Sequence, residues 1–160
     1  MPKNIDLTEH ILELIRRTST DLPADVVSAI EQAHKREKPE SAAEQALAFI
    51  LENIKLAKTN STPVCQDTGT VIYHVYMPFS YSMLDITAQI QKATEKATEL
   101  AYLRPNAVDS ITGVNSGNNI GIGSPTIEFH EWEAETLRID LMLKGGGCEN
   151  VGAQYSLPDF

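Results

Sequence analysis

The 160-residue chain reads as an α+β protein, with N-terminal helices and a long amphipathic helix packed on a small, mostly antiparallel sheet. Three observations predict this. Apolar residues recur at helical spacing throughout residues 1–60. A further stripe of the same period runs from Ser82 towards Arg104. Three other segments, around Val71–Met77, Ile127–Phe129 and Leu137–Leu143, instead alternate apolar and polar residues with a period of two. The expected organisation is one domain over residues 1–160, helical over 1–60 and mixed over 61–160, where the loops carry the chemistry.

In chain order, Leu7, Ile11, Leu14 and Ile15 mark the first helix, with Thr8 as its expected N-cap. A second helix opens near Pro23, carries Val26, Val27, Ile30 and Ala33, and fades in the charged run before Pro39. Ser41 with Glu44 three residues on is a capping box. It opens a third helix, striped by Ala43, Ala46, Leu47, Ile50, Ile54 and Ala57. All three stripes are expected to pack into the core. Val71, Tyr73, Val75 and Met77 form one face of a strand that ends at Pro78. Ser82 and Asp85 cap a long helix bearing Ile86, Ile90, Ala93, Ala97 and Leu100, expected to stop near Arg104, before Pro105. A loop rich in Gly, Asn and Ser follows, of a length that in a compact domain points to function. The last two strands, joined by a short polar segment, read as an antiparallel hairpin.

Composition excludes several classes of function. A net charge of −9 argues against a nucleic-acid partner, which needs clustered Lys and Arg. No apolar run approaches the roughly 18 residues of a membrane-spanning helix, so no membrane is expected. The opening residues lack the apolar centre of a signal peptide, and the two cysteines make no disulfide framework. The expectation is a cytoplasmic, reduced protein.

Three segments depart from the alternation of core and charged surface. Cys65, Gln66 and Asp67 place a soft thiol, an amide and a carboxylate in succession at a helix-to-strand junction. They read either as a ligand and polar site or as a packed cysteine beside an Asx-type turn completed by Gly69. Arg104, held before Pro105, is placed to clamp a carboxylate, or simply to complement a helix C-terminus. Lys144 precedes Gly145, Gly146 and Gly147, whose amides can line an anion-binding hollow or form a flexible turn. Cys148 reads as a small packed residue rather than a ligand. His10, His34, His74 and His130 form no His-x-x-x-His zinc pair, the first two reading as solvated.

Taken together, Val64-Cys65-Gln66-Asp67-Thr68-Gly69, Leu103-Arg104-Pro105-Asn106, Asn115-Ser116-Gly117-Asn118-Asn119 with Gly123-Ser124-Pro125, and Lys144-Gly145-Gly146-Gly147-Cys148-Glu149-Asn150 resemble the iron–sulfur hydro-lyases. That family comprises class I fumarases and L(+)-tartrate dehydratases, and the match is to the N-terminal part or α-subunit. The resemblance implies a [4Fe–4S] cluster held by three thiolates, with one iron acting on a C4 dicarboxylate during reversible hydration of fumarate to malate. Carried over, Cys65 would be a metal ligand. Gln66 and Asp67 would be catalytic, and Arg104, Lys144, Gly146 and Gly147 would bind substrate. The other cluster cysteines and the base would come from a C-terminal part or a β-subunit. The isolated chain is therefore expected to be inactive and cluster-free, with self-association as one outcome of an exposed partner surface. Tartrate dehydration and a non-catalytic dicarboxylate- or partner-binding module are the alternatives.

Overall fold

The computed structural model describes residues 5–147 and 151–153. Four helices and three strands follow in the order α1 (Thr8–Thr20), α2 (Ala24–Arg36), α3 (Ala42–Asn60), β1 (Thr70–Met77), α4 (Met83–Glu99), β2 (Thr126–Glu131) and β3 (Arg138–Lys144). The α+β class is as the sequence predicts. Local signals set most boundaries. The Ser41 and Ser82 hydroxyls accept from the Glu44 and Asp85 amides, at 3.1 and 3.3 Å, satisfying donors that a helix start otherwise leaves bare. Thr8 is not a cap: its amide donates to Asp6 Oδ1 at 3.0 Å, so the acidic side chain before it opens α1.

α4 ends at Glu99, earlier than Arg104. Ala101 adopts a left-handed backbone (φ 60°), and the Tyr102 amide reaches back to the Ala97 carbonyl at 2.9 Å. This closes the helix as a glycine commonly does, without help from Pro105.

The sheet order is β2-β1-β3, with β1 parallel to β2 and antiparallel to β3. β2 and β3 therefore do not form the antiparallel hairpin that their short connection predicts, and the sheet is mixed rather than mostly antiparallel. The physical reason lies in reach and burial. Residues 132–137 can span ~20 Å, enough to cross the ~10 Å between strands that flank a third. Val71, Tyr73 and Val75 are the most apolar strand face, and the central position buries them completely while β2 and β3 remain half-exposed edges.

α1 and α4 pack on one another, and their apolar stripes join that face of β1 in a single core. Ile11, Leu12 and Ile15 meet Ile86, Ile90, Ala93 and Ala97 there, and Leu103 closes it beyond α4. Each large side chain so buried contributes on the order of 1.5–3 kcal/mol. Tyr73 is the polar exception. Its hydroxyl bonds Thr94 Oγ1 at 3.0 Å, and burial pushes its pKa above the ordinary tyrosine range.

The stripes of α2 and α3 depart from the expected core packing. α2 has no buried residue, and α3 buries only Ile54 and Ala57. These helices pair chiefly with each other, joined by His34 Nε2 and Glu44 Oε1 at 3.0 Å, so His34 is not simply solvated. Phe49 is left 75 % exposed.

Candidate active site

Strand register brings the sequence motifs to one end of the sheet. Thr70, the first residue of β1, pairs with Lys144, the last of β3. The segment before β1 therefore meets the glycine run after β3. β2 runs parallel to β1 and starts beside Ile72, so the long loop before it arrives at the same end.

Gly69 marks the closest approach. Its φ of 73° is left-handed, and a Cβ there would collide with the Lys144 carbonyl. Only glycine permits both. Asp67 lies beside it, with Oδ1 accepting from the Gly69 amide at 2.9 Å and Oδ2 from the Gly146 amide at 3.0 Å. The first bond is the Asx turn expected from sequence; the second stitches two motifs together. The Gly146, Gly69 and Gly147 amides together hold the Asp67 carboxyl below its ordinary pKa. The amide hollow of the glycine run thus already holds an anion, and that anion is the chain's own side chain.

Thr68 ties in the third motif. Its buried hydroxyl accepts from the Arg104 amide at 3.0 Å and from Asn106 Nδ2 at 3.2 Å. Asn119 braces the loop behind it; the sequence marks it only as part of the motif at residues 115–119, with no role of its own. Only 2 % exposed and at φ 63°, it accepts at Oδ1 from the Asn106 and Ala107 amides, at 2.8 and 3.1 Å. Its Nδ2 donates to Thr98 Oγ1 and to the Arg104 carbonyl, at 2.9 and 2.8 Å. An Asn in a Gly- and Asn-rich loop looks like ordinary turn chemistry; its distance from regular structure is the only local hint.

The expected chemical groups stand on this frame. Cys65 is exposed and free, so it is not the packed cysteine of the alternative reading. Gln66 and Arg104 are also exposed, and among the described residues Arg104 has no ion-pair partner. A hollow of about 150 Å³ is lined by Cys65, Asp67, Thr68, Ser19 and Leu143. A second, of about 250 Å³, lies on the far side of Gly69 against Asn106, Asn119 and Ser124. Lys144 is exposed at the end of β3. Cys148, Glu149 and Asn150 fall outside the described residues. Cys65 is thus the one thiol among the described residues, enough for a single corner of a cluster and not for three.

The chain that carries these motifs matches a known family over nearly its whole length. The model described as Fumarate hydratase (Fumerase) matches residues 8–159, and the chain belongs to that family. Among similar proteins, one of Geobacillus stearothermophilus, provisionally named a class I fumarate hydratase, is 47 % identical over 95 % of this chain and 30 % of its own length. A Methanocaldococcus jannaschii protein, provisionally named an L(+)-tartrate dehydratase subunit alpha, is 36 % identical over 92 % of this chain and 53 % of its own. The L(+)-tartrate dehydratase subunit alpha of Escherichia coli K12 is 31 % identical over 91 % and 48 %. The chain spans about a third to a half of the length of these relatives. Among the described residues no helix is long and apolar enough to cross a membrane.

Proposed function

We propose that this chain forms part of a [4Fe–4S] hydro-lyase catalysing the reversible hydration of fumarate to malate. The observation that carries the reading is the family match over residues 8–159, at whose centre an exposed thiol adjoins a carboxylate-holding amide hollow. Cys65 would supply one cluster ligand, and the remaining thiolates would come from the longer protein or a β-subunit. When bound, such a cluster would supply a Lewis-acidic iron for the substrate's hydroxyl and carboxylate.

The other roles belong to this chain's own residues. Asp67, ionised at neutral pH, would accept a hydrogen bond from water or a substrate hydroxyl rather than donate a proton. Gln66 would orient the same group by its amide. Arg104, exposed and without an ion pair among the described residues, would take a substrate carboxylate bidentately. Lys144 and the Gly146 and Gly147 amides would form the second anion subsite, a substrate oxygen replacing the Asp67 carboxylate there. A reducing cytoplasm suits a free exposed thiol. The exposed Phe49 and Ile122 would face the remainder of the enzyme or a second copy of the chain.

A second reading rests on the relatives named as tartrate dehydratase subunits. The hydroxy acids of the two reactions, malate and tartrate, differ by one hydroxyl, which a few hydrogen bonds discriminate. The test is anaerobic reconstitution of the assembled enzyme, followed by assays with fumarate and L(+)-tartrate. The expected result is fumarate turnover that vanishes, with the iron, in the Cys65→Ser variant. Turnover of tartrate alone favours the second reading. A Cys65→Ser enzyme that keeps its iron and its rate overturns both.

A further inference from the structure

The sheet face turned away from α1 and α4 carries a separate constellation that the proposed reaction does not use. His74 stands on β1, Glu128 directly beside it on β2, and His130 two residues further on. His74 Nδ1 lies 3.3 Å from His130 Nε2 and 3.3 Å from Glu128 Oε2. One donor atom from each of the three falls within 4.8 Å of the others. Two donors bound at about 2.0–2.1 Å to a tetrahedral ion stand roughly 3.3–3.4 Å apart. Two edges of the triangle already have that length, and the third, between Glu128 and His130, is no longer than 4.8 Å, a gap that rotation of the half-exposed Glu128 side chain can close.

We propose that His74, Glu128 and His130 bind a borderline divalent transition-metal ion, Zn²⁺ being the type, with water in the remaining position. Two imidazoles and one carboxylate suit Zn²⁺ and disfavour Mg²⁺ or Ca²⁺, which require oxygen donors. The neighbourhood is arranged to the same end. The His130 ring stacks on Tyr76 with centroids 4.7 Å apart, and the His74 ring lies 5.5 Å away on a similar plane, so both rings are oriented before an ion arrives. The nearby cation, Arg138, lies over the Tyr76 ring at 5.2 Å and is bound bidentately to Asp140 at 2.9 and 2.6 Å, which neutralises its charge. Asp140 faces His74 from β3 and, so paired, leaves the Glu128 carboxylate as the anion of the site. The ligands sit on two strands of a fixed parallel register, and the Glu128 side chain is 53 % exposed, so solvent and ions reach it. His74 is four residues up β1 from Thr70, ~13 Å from the Cys65 end, so the site is independent of the cluster proposal.

The test uses the 160-residue chain stripped with chelator, titrated with ZnCl₂ by calorimetry and with Co²⁺ by visible absorption. Thiols also bind zinc, so the background is the Cys65→Ser/Cys148→Ser variant. The expected result is one Zn²⁺ per chain in that background, no uptake of Mg²⁺, and a melting temperature that rises with zinc. His130→Gln and Glu128→Gln should each weaken binding at least tenfold while leaving the metal-free circular dichroism unchanged. Should a variant lose its fold, the His74 and His130 ring resonances of the unmutated background still decide: zinc must shift both. Zinc uptake that disappears with the two cysteines, or that survives in both His130→Gln and Glu128→Gln, overturns the proposal.

Discussion

Asp67, Thr68, Gly69 and Asn119 differ in kind from Cys65, Gln66 and Arg104, although the two sets alternate along the same loops. The first set is bound on every side: Asn119 alone makes four hydrogen bonds through its amide. Among the described residues, the side chains of the second set make none. The Cys65, Gln66 and Arg104 side chains are left free to meet something outside the chain, while their positions are fixed by hydrogen-bonded neighbours, of which Asp67 alone also has a proposed chemical role. A site built this way can be deprived of its chemistry without losing its shape, or of its shape without touching its chemistry.

Substitutions can break or sharpen that contrast. The largest effect is expected from Gly69→Ala. The new Cβ meets the Lys144 carbonyl and forces a left-handed backbone on alanine, so urea unfolding should show a loss of at least about 3 kcal/mol. Asn119→Ala should follow, at about 2–4 kcal/mol, because it strands buried backbone groups. A stability loss below about 1 kcal/mol there would place the brace elsewhere.

Asp67→Asn should act through pH. The folded state holds this carboxyl below its ordinary value, so its stabilisation is present above about pH 4 and is lost as acid protonates it. Unfolding midpoints followed from pH 7 down to pH 2 should fall less steeply in Asp67→Asn than in the parent chain. Smallest of all, Cys65→Ser and Arg104→Gln should each leave stability within about 0.5 kcal/mol, since both side chains are exposed. In the assembled enzyme the same two changes should remove iron and weaken dicarboxylate binding, respectively. A Cys65→Ser chain that unfolds would end the distinction between the two sets.

What could be read from sequence follows the range of the interaction concerned. Ser41 and Ser82 cap their helices through residues three positions away, and such signals sit within a single window of sequence. The alternation of β1 was legible for the same reason. Its neighbours were not, because pairing depends on where α4 and residues 132–137 carry the chain. The order β1-α4-β2 is that of a parallel strand–helix–strand unit, and that clue stands against the hairpin. In the site, Cys65, Asp67 and Arg104 were visible by residue type and setting. Asn119 was visible only as one letter of a motif and its bracing role was not, since a turn residue and a four-bond brace look alike in sequence. The meeting of His74, Glu128 and His130 depends on a parallel register that no local pattern encodes.

The position of β1 has a consequence for how the chain is made. Its first residues pair with Thr126 and Lys144, which are synthesised long after it. On the ribosome, β1 and α4 emerge with both strand edges bare, and neither edge closes until β2 and β3 have followed. Non-local pairing of this kind slows folding and leaves an apolar strand open to unwanted partners. Nascent chains halted between α4 and β2 should therefore be the ones that chaperones hold most tightly.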